Sequence, residues 1–375
     1  MKFSFPRRFL YLIVLSLFSA SQAFAFPEMI RHGYVNCTSC HVSPTGGGIL
    51  SEYGRELSKE LLSTWVSKSE ESKDHQFAYG LVSPPSWLLL GGDVRAVYVY
   101  KDDLFATQGR TILMQSDLEA AAKLGKWTAV STLGYQNPKN AELFRDHVIF
   151  RRFYLMYQPT DESSVRIGKY LPAFGINTPD HVTLTRQGVG LGQGYESYNL
   201  EYDWLSSVFS LQGGLIFGRP EDSSLKRETG ANLLSGIALG EKSKVGLSYL
   251  YGKTDAYKRH LFGPYGLIGF SDKLALLTEI DFQAKEFANS SPSQFGAFST
   301  QKLSYEIAKG VWAFGVQEWG KGEFSLPSIT ETYGAGVQFF PRPHFEFNIS
   351  FERQRISAVS PDFYNYGWIM SHFYL

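Results

Sequence analysis

Phe345-Glu346-Phe347-Asn348-Ile349-Ser350-Phe351-Glu352 alternates without a break, with four large apolar side chains on one face and Glu, Asn, Ser and Glu on the other. A period of two is the signature of a β-strand, because successive side chains point to opposite faces of the sheet. The same alternation sets Leu276, Ile280 and Phe282 against Leu277, Glu279, Asp281 and Gln283. In a soluble sandwich the apolar face turns inward, whereas in an outer-membrane barrel it meets lipid and the polar face lines the lumen. Periodicity does not separate the two cases. Connection lengths do.

Turn-forming residues divide the chain after Trp87 into segments joined by alternating connections. Those at 101–110, 137–146, 172–196, 219–228, 288–293, 321–330 and 356–365 are long, and 253–258 is intermediate. Between them fall short ones at 124–126, 159–163, 206–207, 241–243, 271–272, 309–310 and 341–343. These fifteen connections imply about sixteen strands. Short turns on one rim and long loops on the other are the habit of outer-membrane barrels, and an even strand count returns both chain ends to the same side. The last segment runs to Leu375 and carries Tyr366, Trp368, Phe373 and Tyr374, as a closing strand does.

Composition agrees. With 36 basic and 36 acidic residues there is no charge excess to serve nucleic acid. No stretch beyond the N-terminus stays apolar for the ~18 residues of a spanning helix, so a helical membrane protein is excluded. At the N-terminus, Lys2, Arg7 and Arg8 precede the apolar run 9–18, and Ala23-Phe24-Ala25 supplies small residues for cleavage. Residues 1–25 are therefore expected to be a signal peptide that sends the chain out of the cytoplasm.

The only two cysteines of the chain lie in Cys37-Thr38-Ser39-Cys40-His41. C-x-x-C-H is the pattern of c-type haem attachment: two thiols add to the vinyl groups and the adjacent His becomes the proximal iron ligand. One covalent haem c is thus expected, with Cys37, Cys40 and His41 binding it. A Cys37–Cys40 disulfide and a zinc site are the competing readings of the same residues. For a second iron ligand the sequence offers Met29, His32, His75, Met114, Met156 and several histidines of the barrel, of which His32 is taken. A five-coordinate iron is the alternative, and would favour ligand binding.

After the motif, Pro44-Thr45-Gly46-Gly47-Gly48 reads as a turn, and Leu50, Tyr53, Leu57, Leu61, Leu62 and Trp65 predict one amphipathic helix over 50–68. The haem-binding segment, 26–80, is too small for a core of its own and needs a surface to pack on, which makes it a candidate plug for the lumen. Residues 81–86, with Ser83-Pro84-Pro85-Ser86, form the linker, and 87–375 the barrel. The long connection 172–196 carries Asn177, Asp180, His181, Arg186 and several glycines, and its length suggests a constriction or cap. No Ser/His/Asp set or paired-carboxylate helix supports an ordinary hydrolase.

The expected fold is all-β, a roughly sixteen-stranded antiparallel outer-membrane barrel with a small N-terminal haem segment. This layout resembles the fused outer-membrane cytochrome-porins, including those of iron-oxidising bacteria. It shares the signal peptide, the single Cys37-x-x-Cys40-His41 near the mature start, the following Tyr53-Gly54-Arg55 and the barrel; the stretch 44–48 departs from the iron oxidisers' pattern. The resemblance implies electron transfer between the cell exterior and the periplasm of a Gram-negative bacterium. It also implies the partners: outer-membrane lipid, a periplasmic c-type cytochrome, and an extracellular donor or acceptor such as iron. Because the lipid-facing band is ~25 Å tall, a conduit needs its redox centre inside the barrel rather than below it. The transport alternative is a porin for small solutes or ions whose haem segment serves as sensor or plug. A haem peroxidase or reductase would need a distal acid–base residue that the sequence does not reveal.

Overall fold

The computed structural model describes residues 27–66, 77, 81–102, 107–135, 147–180, 182–289 and 291–375. Sixteen antiparallel strands close into one barrel, each bonded to its sequence neighbours, with β1 (Leu88–Asp102) pairing β16 (Tyr364–Tyr374). The alternation seen in the sequence is realised in β15 (Phe345–Ile356): Phe347, Ile349 and Phe351 face outward and exposed, while Glu346, Asn348 and Ser350 are buried inside. In β11 (Leu274–Phe287), Ile280 and Phe282 point out while Glu279 and Asp281 point in. Exposed Trp87, Trp127, Phe209, Phe270 and Tyr305 ring the short-turn end, the aromatic girdle of a membrane barrel. No helix among the described residues is long enough to cross a membrane; the strands make the crossing.

At the seam the chain end completes the ladder. The amide of Leu375 donates to the carbonyl of Gly92 at 2.9 Å and that of Gly92 to Leu375 at 3.4 Å.

The N-terminal segment packs on inward-facing barrel residues. A short 3-10 helix, Pro27–His32, buries Met29, Ile30 and Arg31, with the Arg31 guanidinium 4.1 Å above the Trp312 ring and bonded to Glu306 at 3.1 Å. Lys302 pairs with Glu28 at 2.9 Å. The expected helix is shorter than its apolar period. Helix α1 spans Glu52–Leu57 and widens into one i→i+5 turn through Leu62, closed by the Ser63 amide on the Ser58 carbonyl at 3.0 Å. It stops there because Thr64 donates to the carbonyl of Phe340 at 2.9 Å, so the backbone leaves the helix to pair with the barrel. Lys68, the far end of the predicted helix, lies outside the described residues.

The long connection 171–196 folds into the lumen. Ile176 donates to Glu279 at 2.9 Å, Leu184 to Glu318 at 3.2 Å, and Ala173 to Glu201 at 3.3 Å, so three different strands hold it. Phe174, Val189 and Leu191 bury themselves against Ile216, Leu250 and Leu261 of the wall. The alternation alone predicts a lumen face lining open water. Its residues are instead largely buried, Asn348 at 2 % exposure among them.

Candidate functional site

Cys37–Ser39 form one 3-10 turn, in which the amides of Cys40 and His41 both donate to the carbonyl of Cys37, at 3.2 and 3.0 Å. His41 then bridges to Leu50, and Val42 donates to the Ile49 carbonyl at 3.2 Å, so 41–50 is a small hairpin returning through Gly46, Gly47 and Gly48. All three have φ between 69 and 76°, a left-handed run that side-chain-bearing residues resist. Nδ1 of His41 lies 3.2 Å from the Gly48 carbonyl, the backbone contact that fixes a ligating imidazole's tautomer and presents its other nitrogen.

Tyr53-Gly54-Arg55 has a structural logic that the motif alone does not disclose. Ser51 caps α1, accepting from Gly54 N at 3.1 Å, and is itself fixed by donating its amide to the Cys40 carbonyl at 2.7 Å and its hydroxyl to Ser39 O at 3.0 Å. A Cβ on Gly54 would fall 2.4 Å from the Cys40 carbonyl oxygen, so only glycine lets the helix lie on the motif. Arg55, 2 % exposed, donates to the Leu90 carbonyl and fastens the helix to β1.

Cys40 and His41 wall a cavity of about 200 Å³ between the short-turn rim and the inserted connection 171–196. A concave space with a largely apolar wall and a few convergent polar groups is the usual form of a cofactor site. Cys40 and His41 line it together with Met29, Leu57, Leu62 and Tyr374. Cys37 lines a second cavity of about 100 Å³ that shares Thr45, Gly46, Gly47, Asn177 and Arg186 with the first. Cys40 is buried among Met29, Leu57, Leu62, Trp312, Phe340 and Tyr374, and burial pushes the Cys37 thiol above its ordinary range. The two cysteines are not joined in a disulfide, and no group of three or more His, Cys, Asp and Glu that could hold a metal occurs among the described residues. Two thiols and an imidazole set by the Gly48 carbonyl are the donor set that a c-type haem uses.

Of the second-ligand candidates, His32 stands apart from this cavity. Its Nε2 faces Nε of Arg31 at 3.2 Å, and burial together with Arg31 lowers its affinity for a proton. Met29 and His372 are on the cavity wall instead. His372 is spoken for by carboxylates on both sides, Glu346 at 2.8 Å and Asp93 at 3.3 Å. Met156 packs with Ile49 and Tyr154 in a separate cluster, and His75 and His181 lie outside the described residues.

The motifs of the sequence do not point to the lumen arginines. Arg166 pairs with Glu201 and donates to Ser43 at 3.0 Å and Thr45 at 3.1 Å. Arg152 pairs with Glu119 at 2.5 Å, and Arg95 bonds Asp93 at 2.9 Å and the Pro179 carbonyl at 2.8 Å. For Arg166 the signal is parity: in Val165-Arg166-Ile167 a charge sits between two lipid-facing residues and must point inward. Arg152 gives no such signal, because a register shift beside it turns the adjacent Arg151 inward as well.

No protein-family model matches the chain, nor does any curated protein. Solved structures do match. The trimer form of OmpT of Vibrio cholerae superposes with a TM-score of 0.61 at 12 % identity, covering 77 % of this chain and 99 % of that one. The barrel has the porin fold. An anion-selective porin from Comamonas acidovorans gives a TM-score of 0.57 at 12 % identity over 77 % of this chain and 99 % of its own. The channel DcaP of Acinetobacter baumannii gives 0.56 at 11 % identity over 77 % and 97 %. At such identities the likeness to porins is one of fold.

Proposed function

We propose that this protein is an outer-membrane electron-transfer protein carrying one covalent haem c inside its barrel and passing electrons between the cell exterior and the periplasm. The observation that carries the reading is that Cys40 and His41 line one cavity inside the barrel and Cys37 an adjoining one. The reading requires a centre held inside the ~25 Å apolar band instead of beneath it. Bound there, haem supplies one-electron redox chemistry. Cys37 and Cys40 would tether it and His41 would ligate its iron, while Met29, Leu57 and Leu62 would keep water from one side of the site. Met29 is preferred over His32 as the second ligand because it shares the apolar cluster of Cys40.

The porin fold supports a second reading, a solute pore in which the N-terminal segment is only a plug. Proteoliposomes separate the two. Under the electron-transfer reading the intact protein connects an internal and an external redox dye while excluding small sugars, and Cys37→Ala with Cys40→Ala abolishes the dye reaction. Sugar flux through the intact protein without haem-dependent dye reduction would replace this reading with the pore.

A further inference from the structure

Two lysines oppose each other on the outer wall at the long-loop rim. Lys253 ends β9 (Ser243–Lys253), Lys258 lies near the start of β10 (Tyr257–Gly269), and the two are direct register partners. Both are exposed, and the alternation that sends Leu250, Arg259 and Leu261 inward turns them away from the lumen. Like charges directly opposite in a sheet, with Cβ atoms ~5 Å apart, repel. The turn between them, Thr254 to Ala256, is the shortest connection on this rim, so the wall is lowest here. It is held tightly: the Ala256 and Tyr257 amides donate to the Thr254 hydroxyl at 3.0 and 3.1 Å.

On the lumen side of the same strands a second pair of cations is opposed, Arg259 and Lys285, and there Glu228 supplies the counter-charge through an ion pair with Arg259. The outer pair has none. Asp255 in the turn and Glu286, opposite Lys258 on β11, are exposed, and no described residue forms an ion pair with either lysine.

The rows below fix the height of the pair in the membrane. Next down the outer face come Tyr251 and His260, also register partners, and then Tyr249 and Phe262, which are exposed. Nδ1 of His260 lies 2.7 Å from the Tyr249 hydroxyl, which leaves Nε2 for another partner. An apolar ring, then tyrosines and an imidazole, then ammonium groups is the order met on leaving the hydrocarbon of a bilayer through its aromatic girdle into the headgroups.

We propose that Lys253 and Lys258, with His260 and Tyr251 beneath them, bind the phosphate of a phosphorylated glycolipid of the exterior leaflet, of the lipid A class. The phosphate bridges the two ammonium groups and supplies the negative charge that the protein does not. The acyl chains run down the same face past Phe262, Tyr249 and Leu247, all exposed. Nothing in this site depends on what fills the lumen.

The test uses the full chain, refolded in detergent without lipid and titrated with diphosphoryl lipid A and with the same lipid stripped of its phosphates, the bound equivalents being counted by native mass spectrometry. The phosphorylated lipid is expected to bind as a single equivalent, about tenfold or more tightly than the stripped one, and more weakly as salt is raised. Lys253→Gln with Lys258→Gln should erase that preference, and Lys253→Arg with Lys258→Arg should keep it. Lys273→Gln with Lys309→Gln, exposed positions on the short-turn rim, should leave it unchanged. Equal affinity for the two lipids, or an equal loss from the short-turn variants, overturns the site. Displacement by inorganic phosphate at concentrations like those of the lipid overturns the lipid as its occupant. The comparison of the two lipids needs no variant, so its outcome does not depend on whether the variants fold.

Discussion

Arg166 of β5 (Ser163–Tyr170) donates through Nη1 to the hydroxyl of Ser43 at 3.0 Å, spanning 123 positions of sequence to join the barrel wall to the turn after the cysteines. The same guanidinium is paired with Glu201 of the neighbouring strand, both side chains being 1 % exposed. One residue thus holds a wall carboxylate and the inserted segment together.

Arg166→Met leaves Glu201 buried without a counter-ion, which should cost ~3–5 kcal/mol, whereas Arg166→Met with Glu201→Met should regain most of it. Urea midpoints of heat-modifiable gel migration measure both. A single variant as stable as the parent would show that the pair does not organise the wall.

Intact-mass spectrometry of the protein matured in a host competent for cytochrome assembly should show one added haem, and Cys40→Ala should lose it. An unmodified mass from such a host removes the haem reading.

Phe347→Arg places a guanidinium on the lipid side of β15 and should cost ~2–4 kcal/mol of barrel stability. Phe347→Leu should stay within ~1.5 kcal/mol, because the exposed ring is not locked into a core. Equal costs for the two would mean that this face does not meet lipid.

Acid should loosen the short-turn rim. Burial holds the His344 imidazole down at about 3 from an ordinary 6.5, so it stays neutral in the folded barrel while the unfolded chain takes up a proton. Its stabilising contribution is complete above pH 6.5 and is lost as pH falls from there toward 3, at up to about 1.4 kcal/mol per pH unit. His344 has φ 64°, which asparagine tolerates. His344→Asn should therefore flatten the fall in urea midpoint between pH 7 and pH 4, and an unchanged slope would assign the acid sensitivity elsewhere.

The barrel was legible because lipid imposes a strict rule on one face of every strand: the Phe345 to Phe351 alternation reports it directly, and turns such as Lys309-Gly310 punctuate it. The helix end was not legible, because the apolar period continues to Trp65 while the competing bond from Thr64 to Phe340 comes from 276 residues away. The cysteine motif announces its own chemistry. Its surroundings do not: Arg95, Arg151, Arg152, Arg166 and Arg186 lie far apart in sequence except for one adjacent pair, and closure of the sheet with the inserted connection brings them to one cavity.

The seam between Gly92 and Leu375 sets an order of events. Tyr374, the penultimate residue, forms part of the wall around Cys40, which is only 3 % exposed once that strand is in place. In the closed barrel that thiol is out of reach of anything as large as an enzyme. Under the haem reading, attachment at Cys40 would therefore precede docking of the last strand.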